Sequence, residues 1–150
     1  MTEFTAQDPG YEARVQDSFA RQTFMATIGA TLHGVAPGSC EIRLPYRADL
    51  CQQHGFLHAG VTCTIADTAA GYAAFSLMPA GSSVLTTEFK LNLLNPAAGS
   101  AFVARARVIK PGRTLSVVQS EVFALGRDGA ETQIAVMLAS MICLRDRLDR

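Results

Sequence analysis

The run Gln52-Gln53-His54-Gly55-Phe56-Leu57-His58-Ala59-Gly60, continuing from Val61 to Leu77, decides how this chain folds. Its first part reads as a tight polar loop. Its second part reads as a long apolar helix, Ala59 to Leu77, stopped by Pro79 and Gly81. Between Asp49 and Glu88 a single residue carries a formal charge, Asp67. A carboxylate inside an apolar helix is unfavourable to bury without partners, so Asp67 either makes a structural hydrogen bond or does chemistry. The helix is rich in small residues, among them Ala66, Ala69, Ala70, Gly71, Ala73 and Ala74. Small side chains let other backbone approach closely, as a helix lying inside a curved sheet requires. A generic alanine-rich buried helix would have the same composition.

Outward from this helix the chain alternates. Upstream, Tyr11 to Ala26 follows Pro9-Gly10 and reads as one amphipathic helix, with Val15, Phe19, Phe24 and Ile28 on one side. Thr27–Ala36 and Ser39–Tyr46 read as a hairpin turning at Pro37-Gly38. Downstream come four strand-like stretches: Val84–Leu94, Ser100–Lys110, Thr114–Leu125 and Thr132–Leu144. In the first, Leu85, Thr87, Phe89, Leu91 and Leu93 alternate with Thr86, Glu88, Lys90 and Asn92, which predicts one buried face. In the second, Phe102, Ala104, Ala106 and Val108 oppose Val103, Arg105, Arg107 and Ile109. Gly126-Arg127-Asp128-Gly129 marks the last hairpin. The tail 145–150 is charged and expected to fray. Six short strands and one long apolar helix are buried together only if the sheet wraps the helix. That predicts an α+β domain with antiparallel sheet, spanning 1–150 as one unit with no linker or repeat.

Composition narrows the function. The chain has 150 residues, 49% apolar and 17% charged, with zero formal net charge and a pI near 6.8. No basic field is available for nucleic acid. Cys40, Cys51, Cys63 and Cys143 have neither CxxC pairing nor metal-ligand spacing, so reduced thiols and a cytoplasmic protein without a metal are expected. Residues 1–10 have no basic or apolar signal region. Residues 55–79 are apolar, yet Asp67 at their centre argues against a membrane span.

The helix start suggests chemistry. Unpaired amides near Ala59 and Gly60, at the positive end of the dipole, can polarise a carbonyl oxygen. Asp67 can attack that carbonyl or activate water. Ala59 and Asp67 are eight residues apart, about 12 Å along a helix, so one helix cannot present both to one reacting atom. Either Asp67 is not catalytic, or one subunit's helix start faces the Asp67 of another, as a two-fold dimer would arrange twice.

The pattern Gln52-x-x-Gly55-x-x-His58-Ala59-Gly60-(x)6-Asp67 resembles the hotdog-fold acyl-CoA thioesterases, in their phenylacetate-degradation (PaaI-type) branch. Thr86 to Ala97 and Val108 to Leu115 resemble the same branch, and the likeness extends over roughly residues 30–144. It implies a six-stranded sheet wrapped around the central helix, with the N-terminal helix as an addition. It also implies hydrolysis of an acyl-CoA to free acid and CoA, with no cofactor beyond the CoA of the substrate, in a homodimer or homotetramer. By position, Asp67 is the nucleophile or general base. The Ala59 N–H polarises the thioester carbonyl, Gln52 and His58 orient the reacting groups, and Thr86 helps hold the water. Ala59 replaces the family's first glycine of His-Gly-Gly, which keeps the N–H and adds a methyl. Gly60 belongs to the same turn. Phe56, Leu57, Tyr72 and Phe75 flank the expected acyl pocket. Lys90, Arg105, Arg107, Lys110 and Arg113 are the basic candidates for the CoA phosphates, and Arg113 lies in the turn that matches the family. Two rivals are a hotdog hydratase or dehydratase, which the His58–Asp67 spacing disfavours, and a catalytically silent acyl-CoA-binding module.

Overall fold

The computed structural model describes residues 4–149. Its elements are α1 (Tyr11–Ala20), α2 (Thr23–Ile28), β1 (Thr31–Ala36), β2 (Ser39–Pro45), α3 (Ala59–Phe75), β3 (Ser83–Leu93), β4 (Ala101–Lys110), β5 (Leu115–Leu125) and β6 (Glu131–Leu144). The strands form one antiparallel sheet in the order β1-β2-β4-β5-β6-β3. Helix α3 packs across it, against β2, β4, β5, β6 and β3. This is the hotdog fold, with six strands around one central helix. No helix among the described residues is long and apolar enough to cross a membrane.

Burial explains the arrangement. Ile65, Ala66, Ala69, Ala70, Ala73, Ala74 and Phe75 of α3 are fully buried, so the helix is apolar on most of its circumference and needs cover on several sides. Phe102, Ala104, Val118, Val122, Ala135 and Met137 supply it from the sheet. At the helix C-terminus, Ser76, Leu77 and Met78 continue only as turn, and a side chain far away in sequence closes the end. Arg14 donates to the carbonyls of Pro79 at 2.8 Å, Met78 at 2.8 Å and Phe75 at 3.2 Å, and its guanidinium stacks over the Phe75 ring. Asp8 lies 3.2 Å from the same group. A cation on the last carbonyls satisfies orphan acceptors and complements the dipole.

Three expectations are corrected. The N-terminal helix predicted over 11–26 is two helices, broken at Arg21-Gln22. Gln22 is extended (φ −77°, ψ 95°), and its amide is drawn inward to the Tyr72 hydroxyl at 2.7 Å. Val103, which alternation groups with Arg105 and Arg107 opposite Phe102 and Ala104, is buried. The face of β3 predicted to be buried is largely open: Leu85 is 56% exposed, Phe89 47% and Leu93 57%.

A bulge accounts for the last correction. Thr86 pairs with Met141 and Glu88 with Ser140, so Thr87 is an extra residue, and its hydroxyl donates to the Ser140 carbonyl. Residues directly opposed on paired strands point to one face. Val84 and Thr86 therefore lie on the helix side with Cys143 and Met141, and Phe89, Leu91 and Leu93 join them beyond the bulge, opposite Ala139, Met137 and Ala135. Leu85 falls on the other face. Since β3 is an outermost strand, Phe89 and Leu93 extend past the cover that α3 gives.

Candidate active site

The loop before α3 is built to leave one amide free. Gly55 adopts φ +82°, which lets the chain reverse with its N–H on the Gln52 carbonyl and the Gln52 N–H on the Phe56 carbonyl. His58 is the N-cap (φ −62°, ψ 137°), and its own N–H is held by the Leu50 carbonyl at 3.0 Å. Its Nδ1 accepts from the Gly60 N–H at 2.8 Å, while the Val61 and Thr62 amides reach the His58 carbonyl. A neutral imidazole accepting at Nδ1 carries its proton on Nε2. Among the described residues, the Ala59 N–H alone in this first turn has no partner. Ala59 lines a cavity of about 310 Å³, together with Gln52, Phe56, Leu57, Thr62, Leu93, Pro96, Ala97 and Ile134.

Asp67, half-buried two turns further on, lines a different cavity of about 410 Å³. Thr86 Oγ1 donates to Asp67 Oδ1 at 2.8 Å. The bulge makes this bond possible, because it lets Thr86 face inward while Leu91 and Leu93 do the same. Burial pushes the Asp67 carboxyl above its ordinary range, and the Thr86 hydrogen bond pulls the other way. A carboxylate held by one donor and made more basic by its surroundings suits proton abstraction from water. Thr68, Gly71 and Tyr72 of α3 and Val84 and Leu85 of β3 also line this cavity.

The expected site residues divide accordingly. Asp67, Thr86 and Tyr72 meet at the larger cavity. Gln52, Phe56 and Ala59 meet at the smaller one, with His58 and Gly60 at the turn beside it. The Gly60 N–H is occupied by His58, and the Gln52 side-chain oxygen is occupied by the His54 amide. Phe75, expected along the pocket, is fully buried beneath Arg14. Arg113 reaches neither cavity and lies by the exposed β4–β5 turn. Arg105 is engaged by Glu41 and Glu131, and Arg107 by Gln119. Ser18, Arg21 and Gln22, which close the Asp67 cavity from the N-terminal helices, carried no local signal and were not expected there.

Comparison with known proteins fits this geometry. The family model described as the thioesterase superfamily matches residues 54–130, from the loop before α3 to the turn that follows β5. The chain belongs to the thioesterase superfamily. It is therefore a thioester hydrolase by family. A thioesterase family protein from Silicibacter pomeroyi is 53% identical, with 91% of this chain and 99% of that one aligned at a TM-score of 0.89. A conserved protein of Pseudomonas aeruginosa is 26% identical over 82% of this chain and 94% of its own, at a TM-score of 0.74. The Escherichia coli PaaI protein of the phenylacetic acid degradation operon shares the fold, at 17% identity over 92% of this chain and 99% of its own, with a TM-score of 0.78.

Proposed function

We propose that this thioester hydrolase acts on acyl-CoA, releasing a free acid and CoA, at two composite sites in a homodimer. The observation that carries the reading is the course of β3. Its start borders the Asp67 cavity through Val84, Leu85 and Thr86, and its end borders the Ala59 cavity through Leu93. It is an outermost strand with exposed Leu85, Phe89, Leu93 and Leu94 close by. A strand with an unpaired edge and apolar flanks is a template for another strand. Pairing β3 antiparallel with its two-fold copy brings the start of one strand beside the end of the other. Each Asp67 cavity then adjoins the partner's Ala59 cavity, and the about 12 Å within one helix no longer separates the two groups.

In this reading the Ala59 N–H and the helix dipole hold the thioester oxygen. Asp67 takes a proton from water, or attacks the carbonyl carbon itself. When water attacks, hydroxide adds to that carbon, charge collects on the oxygen facing Ala59, and collapse expels the CoA thiolate, which takes up the proton. Thr86 fixes the Asp67 carboxylate, His58 fixes the helix start, and Gln52 fixes the loop before it. Water is the one co-substrate this chemistry needs.

Asp67→Asn keeps the shape and the Thr86 bond. CoA release from an acyl-CoA panel should fall about 10²–10⁴-fold, the usual contribution of a positioned base. Unchanged release would end the assignment. A chain that is monomeric by light scattering yet fully active would end the composite site.

A further inference from the structure

Gly71 lies one turn beyond Asp67 on α3 and lines the same cavity. Glycine inside a helix is destabilising relative to alanine, so its presence asks for a reason. The backbone gives none, because Gly71 is absent from the positive-φ residues. Packing within the chain gives none either. A methyl built on its Cα meets no atom within 4 Å outside its own stretch of helix, whereas Ala69, Ala70, Ala73 and Ala74 around it are buried. The space that the missing side chain leaves is therefore cavity. Behind it the wall is fixed: the buried Tyr72 hydroxyl receives the Gln22 amide at 2.7 Å and meets Ser18 Oγ at 3.1 Å.

Resting on the acyl-CoA reading above, we propose that Gly71 is the specificity-determining position of the site. One helical turn puts it about 6 Å from Asp67, level with the atoms a few bonds beyond the thioester carbonyl. The Ser18–Tyr72–Gln22 cluster sets the depth of the pocket and Gly71 sets its width. The acyl group it favours is broad at that level, ring-bearing or branched, over a straight chain of the same length.

The test compares wild type, Gly71→Ala and Gly71→Leu on phenylacetyl-CoA and hexanoyl-CoA, which are similar in length and differ in width. The ratio of kcat/KM for the broad over the narrow substrate should fall about threefold in Gly71→Ala, and tenfold or more in Gly71→Leu, as expected for overfilling a fitted space. Gly71→Ala should melt no lower than wild type. A ratio unchanged in both variants overturns the proposal. So does an equal loss on both substrates with dissociation in light scattering, which would assign the gap to subunit packing. If wild type cleaves neither substrate, the functional reading itself has failed, and this one with it.

Discussion

The two ends of helix α3 are finished in opposite ways. At the C-terminus three carbonyls, those of Phe75, Met78 and Pro79, are gathered by Arg14, which is itself pinned by Asp8 and stacked on a buried ring. At the N-terminus every amide of the first turn is paired except that of Ala59, a residue that lines a cavity. Helix ends left bare are unfavourable, so proteins close them unless something else is meant to bind there. One end of this helix is closed by side chains, and the other, in the function proposed above, is kept for the thioester oxygen.

Ala59→Pro attacks the open end directly and should have the largest effect of any change at either end. Proline is accommodated at the first helical position, and His58 before it already has the extended backbone that a following proline demands. The substitution deletes one N–H and little else. We expect kcat to fall about 10²–10³-fold, as when one oxyanion donor is lost, with the melting temperature nearly unchanged. Ala59→Gly, which keeps the amide, should retain turnover. An active Ala59→Pro enzyme would break the contrast, because the free amide would then have no catalytic use.

Arg14→Ala attacks the closed end and should do the reverse. Losing charged hydrogen bonds to carbonyls that stay partly buried is expected to cost about 2–4 kcal/mol. At this chain length that lowers the melting point by about 5–15 °C, readable by calorimetry. Turnover measured well below the melt should stay close to wild type. A variant that melts normally and loses activity would show that the two ends are not separate in function.

How much of this was visible in the sequence follows from the range of each interaction. Helix α3, the succession of elements along the chain, the loop with its glycine and the Asp67 motif depend on neighbours within a few residues, and periodicity and turn chemistry report those. The N-terminal helices contribute at a distance: Arg14 meets Pro79, and Gln22 and Ser18 meet Tyr72, across 50 residues or more each. Within a helix expected over 11–26, nothing local sets Arg14 apart from other surface charges or Gln22 from other mid-helix residues. The β3 bulge also left no mark, since Thr86-Thr87 fits an unbroken strand as well as a bulged one. Alternation assigned Leu85 and Phe89 to one face, and only the pairing with β6 separates them. The exposed leucines of β3 then stop being an anomaly of burial and become the argument for a second copy.

That bulge supports the smallest effect, and the one that resolves the open side of the site most finely. Thr86 reaches Asp67 because Thr87 takes up the extra residue. Burial raises the Asp67 carboxyl and the Thr86 hydroxyl opposes it, so removing the hydroxyl leaves burial unopposed and the carboxyl rises further. A base works only when ionised, and a higher pKa means that it is protonated at a higher pH. Thr86→Val should therefore move the acidic limb of the kcat/KM profile upward in pH while leaving the plateau less affected than any change at Ala59 or Asp67. Thr86→Ser, which restores the donor, should bring the limb back. A limb that stays put in Thr86→Val would mean that the group titrating in that profile is not Asp67, and the open end of α3 would then need another base to complete it.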